Sequence, residues 1–132
     1  MRIFACLAAA ALSLMTASAT HAACLKADAE DQIAEGRLAS VRIEIPDYKL
    51  KEQAFMLQLD AEACLDVKDK DDEVEPTKRI HVYSLDEGLR KRMRGLVGKA
   101  VRVRGVPFGE HTIHHHAPIV MNVSSIELMP KQ

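Results

Sequence analysis

The stretch IHVYSLDEGLRKRMRGLVGKAVRVRG, residues 80–105, changes its hydrophobic period twice. Ile80 and Val82, with Tyr83 at the end, read as a strand. Leu85, Leu89, Met93 and Leu96 then recur at helical spacing. Ser84 and Glu87 are placed to form a capping box, and Gly98 suits the left-handed position after a last turn. From Val101 the period returns to two, Val101 and Val103 alternating with Arg102 and Arg104 up to Gly105. The stretch therefore predicts strand, short helix, strand.

Upstream, Leu38, Val41, Ile43 and Ile45 mark a strand ended by Pro46, and the irregular spacing after Leu38 hints at a bulge. Phe55, Leu57 and Leu59 alternate with Met56, Gln58 and Asp60 in a second strand that runs toward Cys64 and Val67. The acidic run KDKDDEVEP, residues 68–76, is a loop. Downstream, Ile119, Met121 and Val123, then Ile126 and Leu128, form a fifth strand. Three strands, a helix and two strands predict a mainly β (α+β) fold, a small OB-like five-stranded Greek-key barrel with one helix between strands three and four. We place this domain at 36–132, after a polar segment at 23–35 that forms a turn of helix or a tether.

Met1 to Ala22 has the pattern of a cleavable signal peptide: Arg2, then an apolar run, then small residues. Cleavage is expected after Ala22, with Ala19 as the alternative, and no transmembrane span remains in the mature chain. A lipid anchor on Cys24 is disfavoured, because His21 stands where that signal has an aliphatic residue. The protein is thus expected in the periplasm or secreted. Cys6 leaves with the leader, so Cys24 and Cys64 remain and read as a disulfide.

Charge points to no global partner: 18 basic side chains, one of them Arg2 in the leader, face 19 acidic ones. The acids of residues 60–75 and the bases of 78–104 read as solvated faces. Nucleic acid is not expected, although OB barrels often bind it. Single-strand binders need aromatic platforms, and the mature chain has only Tyr48, Phe55, Tyr83 and Phe108.

The connection between the fourth and fifth strands is PFGEHTIHHHAP, residues 107–118. In the predicted fold it borders the usual binding face. His111, His114 and His116, with Glu110, form a candidate site for zinc or copper, and Met121 is a soft ligand within the same region for copper(I). If residues 114–116 are extended, His114 and His116 face one way and His115 the other. Phe108, Thr112, His115, Arg102 and Arg104 complete a candidate ligand or partner surface. A polar loop whose imidazoles bond only to backbone and water explains the same residues.

Leu96 to Gly105, followed by Phe108, His111-Thr112 and His114-His115-His116, resembles the bacterial exported family known as domain of unknown function 4431. Its pattern is Gly-Lys-x-Val-x-Val-x-Gly and then His-Thr-Gly-His-His-His, and the likeness covers roughly residues 96 to 128. Ile113 stands in place of the glycine, and Pro107 in place of an apolar non-proline residue. A β-branched residue favours extended backbone, so a differently shaped loop is expected here. The resemblance implies no activity. The residues support a small exported binding or accessory protein whose contact surface is the loop at 109–118, with a transition metal as one possible ligand. The alternatives are a metal-dependent hydrolase using Glu110 as base and an envelope protein-interaction factor that needs no metal.

Overall fold

The computed structural model describes residues 24–130; the expected leader at 1–22 and Cys6 lie outside them. The strands are β1 (Leu25–Lys26), β2 (Gln32–Ile45), β3 (Leu50–Ala63), β4 (Leu65–Asp66), β5 (Thr77–Tyr83), β6 (Ala100–Gly109) and β7 (Ile119–Leu128). Helix α1 (Glu87–Gly95) lies between β5 and β6. The five longer strands close a barrel in the order β2-β3-β5-β7-β6, with β6 returning to β2. The β5–β7 pair is parallel and the other barrel pairs are antiparallel. This is the OB-like Greek-key arrangement that the switches of period predict. No helix among the described residues is long and apolar enough to cross a membrane.

Alternation along the strands fills the barrel. Leu38, Leu57, Ile80, Val82, Val101, Val103, Ile119 and Met121 are all fully buried, as is Met93 of α1. The helix starts two positions after the expected cap at Ser84. Asp86 caps it, accepting from the Leu89 N–H at 2.8 Å, while Ser84 Oγ accepts from the Asp86 N–H at 3.1 Å. An aspartate followed by a helical run satisfies an orphan N–H as well as a serine does. Leu85 then falls outside the helix and stays 80% exposed.

Two glycines, one before β6 and one within it, are needed for different reasons. Gly98 has φ +85°, the left-handed conformation that lets its N–H reach Leu38 O at 2.7 Å. Gly105 sits at a register shift between β6 and β7, where a Cβ would meet Asn122 O at 2.1 Å. Here the backbone approach itself needs the missing side chain.

β2 departs from its sequence reading in two ways. It begins at Gln32, inside the stretch read as a turn or tether. Ala34 and Gly36 are small enough to face the barrel interior there, and Gly36 passes so close to β3 that a Cβ would lie 2.3 Å from Gln58 O. The expected bulge after Leu38 is absent, since pairing with β3 runs in register from Arg37 to Ile45. The strand buries its opposite face instead. Leu38 points into the barrel, whereas Val41 and Ile43 pack with Ala54, Met56 and Ala117 in a second, smaller core. Met56, which alternation assigned to the wet side, is 2% exposed because this outer core covers it.

Cys24 and Cys64 are joined in a disulfide with a Cα–Cα distance of 4.5 Å. Beside it, the Leu25 N–H donates to Cys64 O at 2.9 Å and β1 lies parallel to β4. The Asp28 N–H then donates to Pro107 O at 2.8 Å, tying the N-terminal segment to the end of β6. Closing a loop with a sequence separation of 40 stabilises the fold by about 4 kcal/mol on the chain-entropy model.

Two substitutions test this account by urea denaturation of residues 23–132. Replacing both cysteines by serine should lower the unfolding free energy by about 2–4 kcal/mol; a loss under about 1 kcal/mol would show that the bond does little. Gly105→Ala should cost at least about 2 kcal/mol, the opposite sign to the gain expected where a Cβ has room.

Candidate functional site

Past Leu38 the β2–β3 ribbon outruns the barrel, and its second face turns toward the outer side of β3 and β5. Cross-strand register lines up Met56 with His81, His81 with Val120, and Val120 with Phe108. Further along the ribbon, Val41 pairs with Ala54 and Ile43 with Glu52. The β6–β7 connection folds back over this row. Its Ala117 is 2% exposed, packed against the outer core of Ala54 and Met56.

Backbone bonds shape the connection locally. The Glu110 N–H donates to Pro118 O at 3.1 Å, closing the base. The His115 N–H donates to Thr112 O at 3.1 Å, and the His114 N–H to Thr112 Oγ1 at 3.2 Å, a turn in which a threonine hydroxyl imitates a backbone acceptor. Ile113 occupies the turn without a positive φ, since among the described residues those other than glycine that have one are Asp28, Asp31 and Lys49. The turn therefore does not require glycine at 113.

The histidines divide between two groups. His114 Nδ1 contacts Glu52 Oε1, and His116 Nε2 lies 2.8 Å from Glu52 Oε2. His116 is further held by its N–H, which donates to His81 Nδ1 at 3.2 Å, and by stacking on the His81 ring at 5.3 Å. His115 turns the other way. Its Nδ1 accepts from the His111 N–H at 3.1 Å, and its ring meets those of His111 at 4.7 Å and Phe108 at 5.2 Å. Phe108 also stacks on His111 at 5.5 Å and meets Tyr83 edge-on at 6.3 Å.

Apart from Thr112, whose turn seats His114 and His115, the remaining candidates lie away from both groups. Glu110 is exposed, and Thr112 acts through the turn. Arg102 pairs with Glu35 at 3.0 Å and Glu127 at 3.2 Å across β6, and Arg104 is exposed on the same strand. Met121 faces the barrel core with no exposure, so it cannot serve the loop as a copper(I) ligand. Among the described residues, no group of three or more His, Cys, Asp and Glu is arranged so that it could hold a metal ion. The sequence reading did not single out Glu52 or His81. Neither has a local signal, because each reads as one polar position in an alternating strand.

Between the ribbon and the loop is a cleft of about 590 Å³ lined by Glu52, Gln53, Ala54, His81, Tyr83, Thr112, His114 and His115. A larger cleft, about 780 Å³, lies on the far side of Phe108 and His111, between the 26–29 segment and the 66–74 segment with its exposed acids. The smaller one is the better candidate site. Its polar groups come from three elements and lock one another in place, whereas the acids that line the larger one, Asp66, Asp69, Asp71, Asp72 and Glu73, are exposed.

Electrostatics follow from this packing. Hydrogen bonds from His116 and then His114 hold Glu52 below the usual carboxylate range, against the opposing effect of burial. Burial, reinforced by His116 and His115, lowers His81 to about 4. His115 is lowered by burial and then by His111. A histidine depressed in the folded state contributes stability that is complete above its unfolded value of 6.5 and is lost as pH falls toward 4. Glu52, also depressed, acts in the same direction below the ordinary carboxylate value. Unfolding free energy should thus decline between pH 6.5 and 4 by up to about 3 kcal/mol from His81. His81→Asn, which keeps an acceptor near Nδ1, should remove most of that slope in urea titrations at several pH values. An unchanged slope would locate the acid sensitivity elsewhere.

No curated protein matches the chain. Residues 79–127, which run from β5 through α1 and the histidine loop into β7, match the model of the family described as Domain of unknown function (DUF4431), the family that the strand and loop resemble.

Proposed function

We propose that this chain is a small exported binding module that takes its ligand on the outer face of β3 and β5, with the loop at 109–118 as one wall of the site. The observation that carries this is Glu52. A carboxylate on a barrel strand receives two loop histidines at once and seats the loop beside a cleft. In barrels of this topology, that face and its flanking loops are where ligands are held. Export to the periplasm is supported by the leader-like residues 1–22 and by the disulfide, a bond that persists mainly in oxidising compartments. Hydrolysis draws no support from the geometry, since Glu110, the base it requires, is exposed and outside the Glu52 group.

Untagged protein recovered gently from the periplasm tests both halves of the proposal. Its intact mass should begin at Ala23 or at Thr20. Native mass spectrometry should resolve a bound small molecule or polypeptide that is lost in a Tyr83→Ser, His115→Ser double variant and kept in a Lys91→Ser control on the helix. An adduct indifferent to the double variant would place binding on another surface.

A further inference from the structure

Beyond Leu38, β2 keeps β3 on one side and has no strand on the other. The Leu38 N–H donates to Lys99 O at 3.0 Å, and Leu38 O accepts from the Gly98 N–H at 2.7 Å, so both backbone groups of Leu38 point away from β3. Backbone direction alternates along a strand, and Ser40, Arg42 and Glu44 therefore aim their N–H and C=O groups the same way. Among the described residues, no strand pairs with them on that side. An open edge is a template for another strand, and proteins commonly guard it with charge. The guard here is Arg42 and Glu44, both exposed and neither held in an ion pair among the described residues. Because they are of opposite sign, they repel a second strand in some registers and attract it in another.

We infer that this edge of β2 pairs with the same edge of a second copy of the chain, antiparallel about a two-fold axis at Ile43. A two-fold contact sets residues equally far before and after the axis opposite each other. With the axis at Ile43, Arg42 lies opposite the partner's Glu44, and Glu44 opposite the partner's Arg42. Each of these pairs exchanges backbone hydrogen bonds and also matches a cation to an anion. On the other face Ile43 meets the partner's Ile43, and Val41 meets the partner's Ile45. Val41, Ile43 and Ile45 are only half-buried in one copy, so pairing covers apolar surface that a single ribbon leaves wet. Val41 and Ile43 already pack on the outer core, which the contact would extend across both copies. Neighbouring axes fail. At Arg42 two guanidinium groups would meet, at Glu44 two carboxylates, and an axis between residues would oppose side chains that point to different faces. The stretch VRIEI, residues 41–45, thus selects one register. A pairing this short belongs to the transient class of interfaces, below about 1,200 Å², so the pair forms reversibly. It makes no use of the β3–β5 cleft and stands independently of what that face binds.

Sedimentation velocity of untagged residues 23–132, over roughly a hundredfold range of concentration, tests the pairing. The wild type should pass from monomer to dimer as concentration rises. Arg42→Glu alone and Glu44→Arg alone should each weaken association by roughly tenfold or more, because like charges then face each other. The double variant carrying both exchanges should recover the dimer, since the signs match again in reverse, and so should an equal mixture of the two single variants. Amide exchange at Arg42 and Glu44 should slow as the wild type associates. A wild type that stays monomeric throughout, or a dimer indifferent to the single exchanges, overturns the inference. If a monomeric wild type instead carries a polypeptide adduct that Arg42→Glu removes, the edge serves a foreign strand and self-pairing falls.

Discussion

Leu38 is the last residue of β2 whose side chain enters the barrel, and the rest of the site depends on that limit. β2 pairs with β6 only as far as Arg37, yet it runs on with β3 to Ile45. Beyond the point where β6 leaves, residues of Leu38's parity, Ser40, Arg42 and Glu44, have no interior to fill and are exposed. The apolar residues shift to the other parity, and Val41 and Ile43 find their partners on the outside of the sheet. A strand keeps its period of two while exchanging the face it buries. The outer core that results gives Ala117 a place to pack, and so anchors the loop that carries the histidines.

The loop is anchored largely through neutral rings. His81 and His115 each use Nδ1 to accept a backbone N–H, from His116 and His111 respectively. A nitrogen can accept only while it carries no proton, so both bonds require the uncharged imidazole. Burial pushes both groups in the same direction. An unpaired charge beneath the loop would meet a desolvation cost larger than a hydrogen bond returns. The histidine-rich segment is therefore not uniform. Within it His115, like His81 of β5, accepts a backbone N–H, whereas His114 and His116 engage a carboxylate.

Much of the barrel was legible because its signals are local. The switch of period at Leu85 and back at Val101, the glycines at 98 and 105, and an even pair of cysteines each speak about residues close in sequence or about a count. Where the reading failed, the deciding contact was distant. The helix cap at Asp86 rather than Ser84 is the local exception, a choice between two acceptors two residues apart that propensity does not resolve. Met56 was assigned to solvent because alternation knows only one core, whereas the fold builds two. Residues 32–35 were assigned to a polar tether because Ala34 and Gly36 have too little side chain to show a hydrophobic period. Glu52 was invisible for the same kind of reason, since it lies 62 and 64 positions from the histidines it meets.

That separation bears on what the histidine block can do. A run of imidazoles on a loop has many conformations of similar energy, and ordering them costs entropy that the loop alone does not recover. The turn at Thr112 assigns each ring a side, and parity then sends His114 and His116 toward β3 and His115 toward Phe108. The sheet supplies what the loop lacks on each side. On one it offers a carboxylate fixed by cross-strand pairing, and on the other an aromatic ring fixed at the end of β6. Either partner on its own is an ordinary surface residue. Their spacing across the closed barrel, set by the pairing of β3 with β5, β5 with β7 and β7 with β6, is what turns four neighbouring histidines into two different chemical environments.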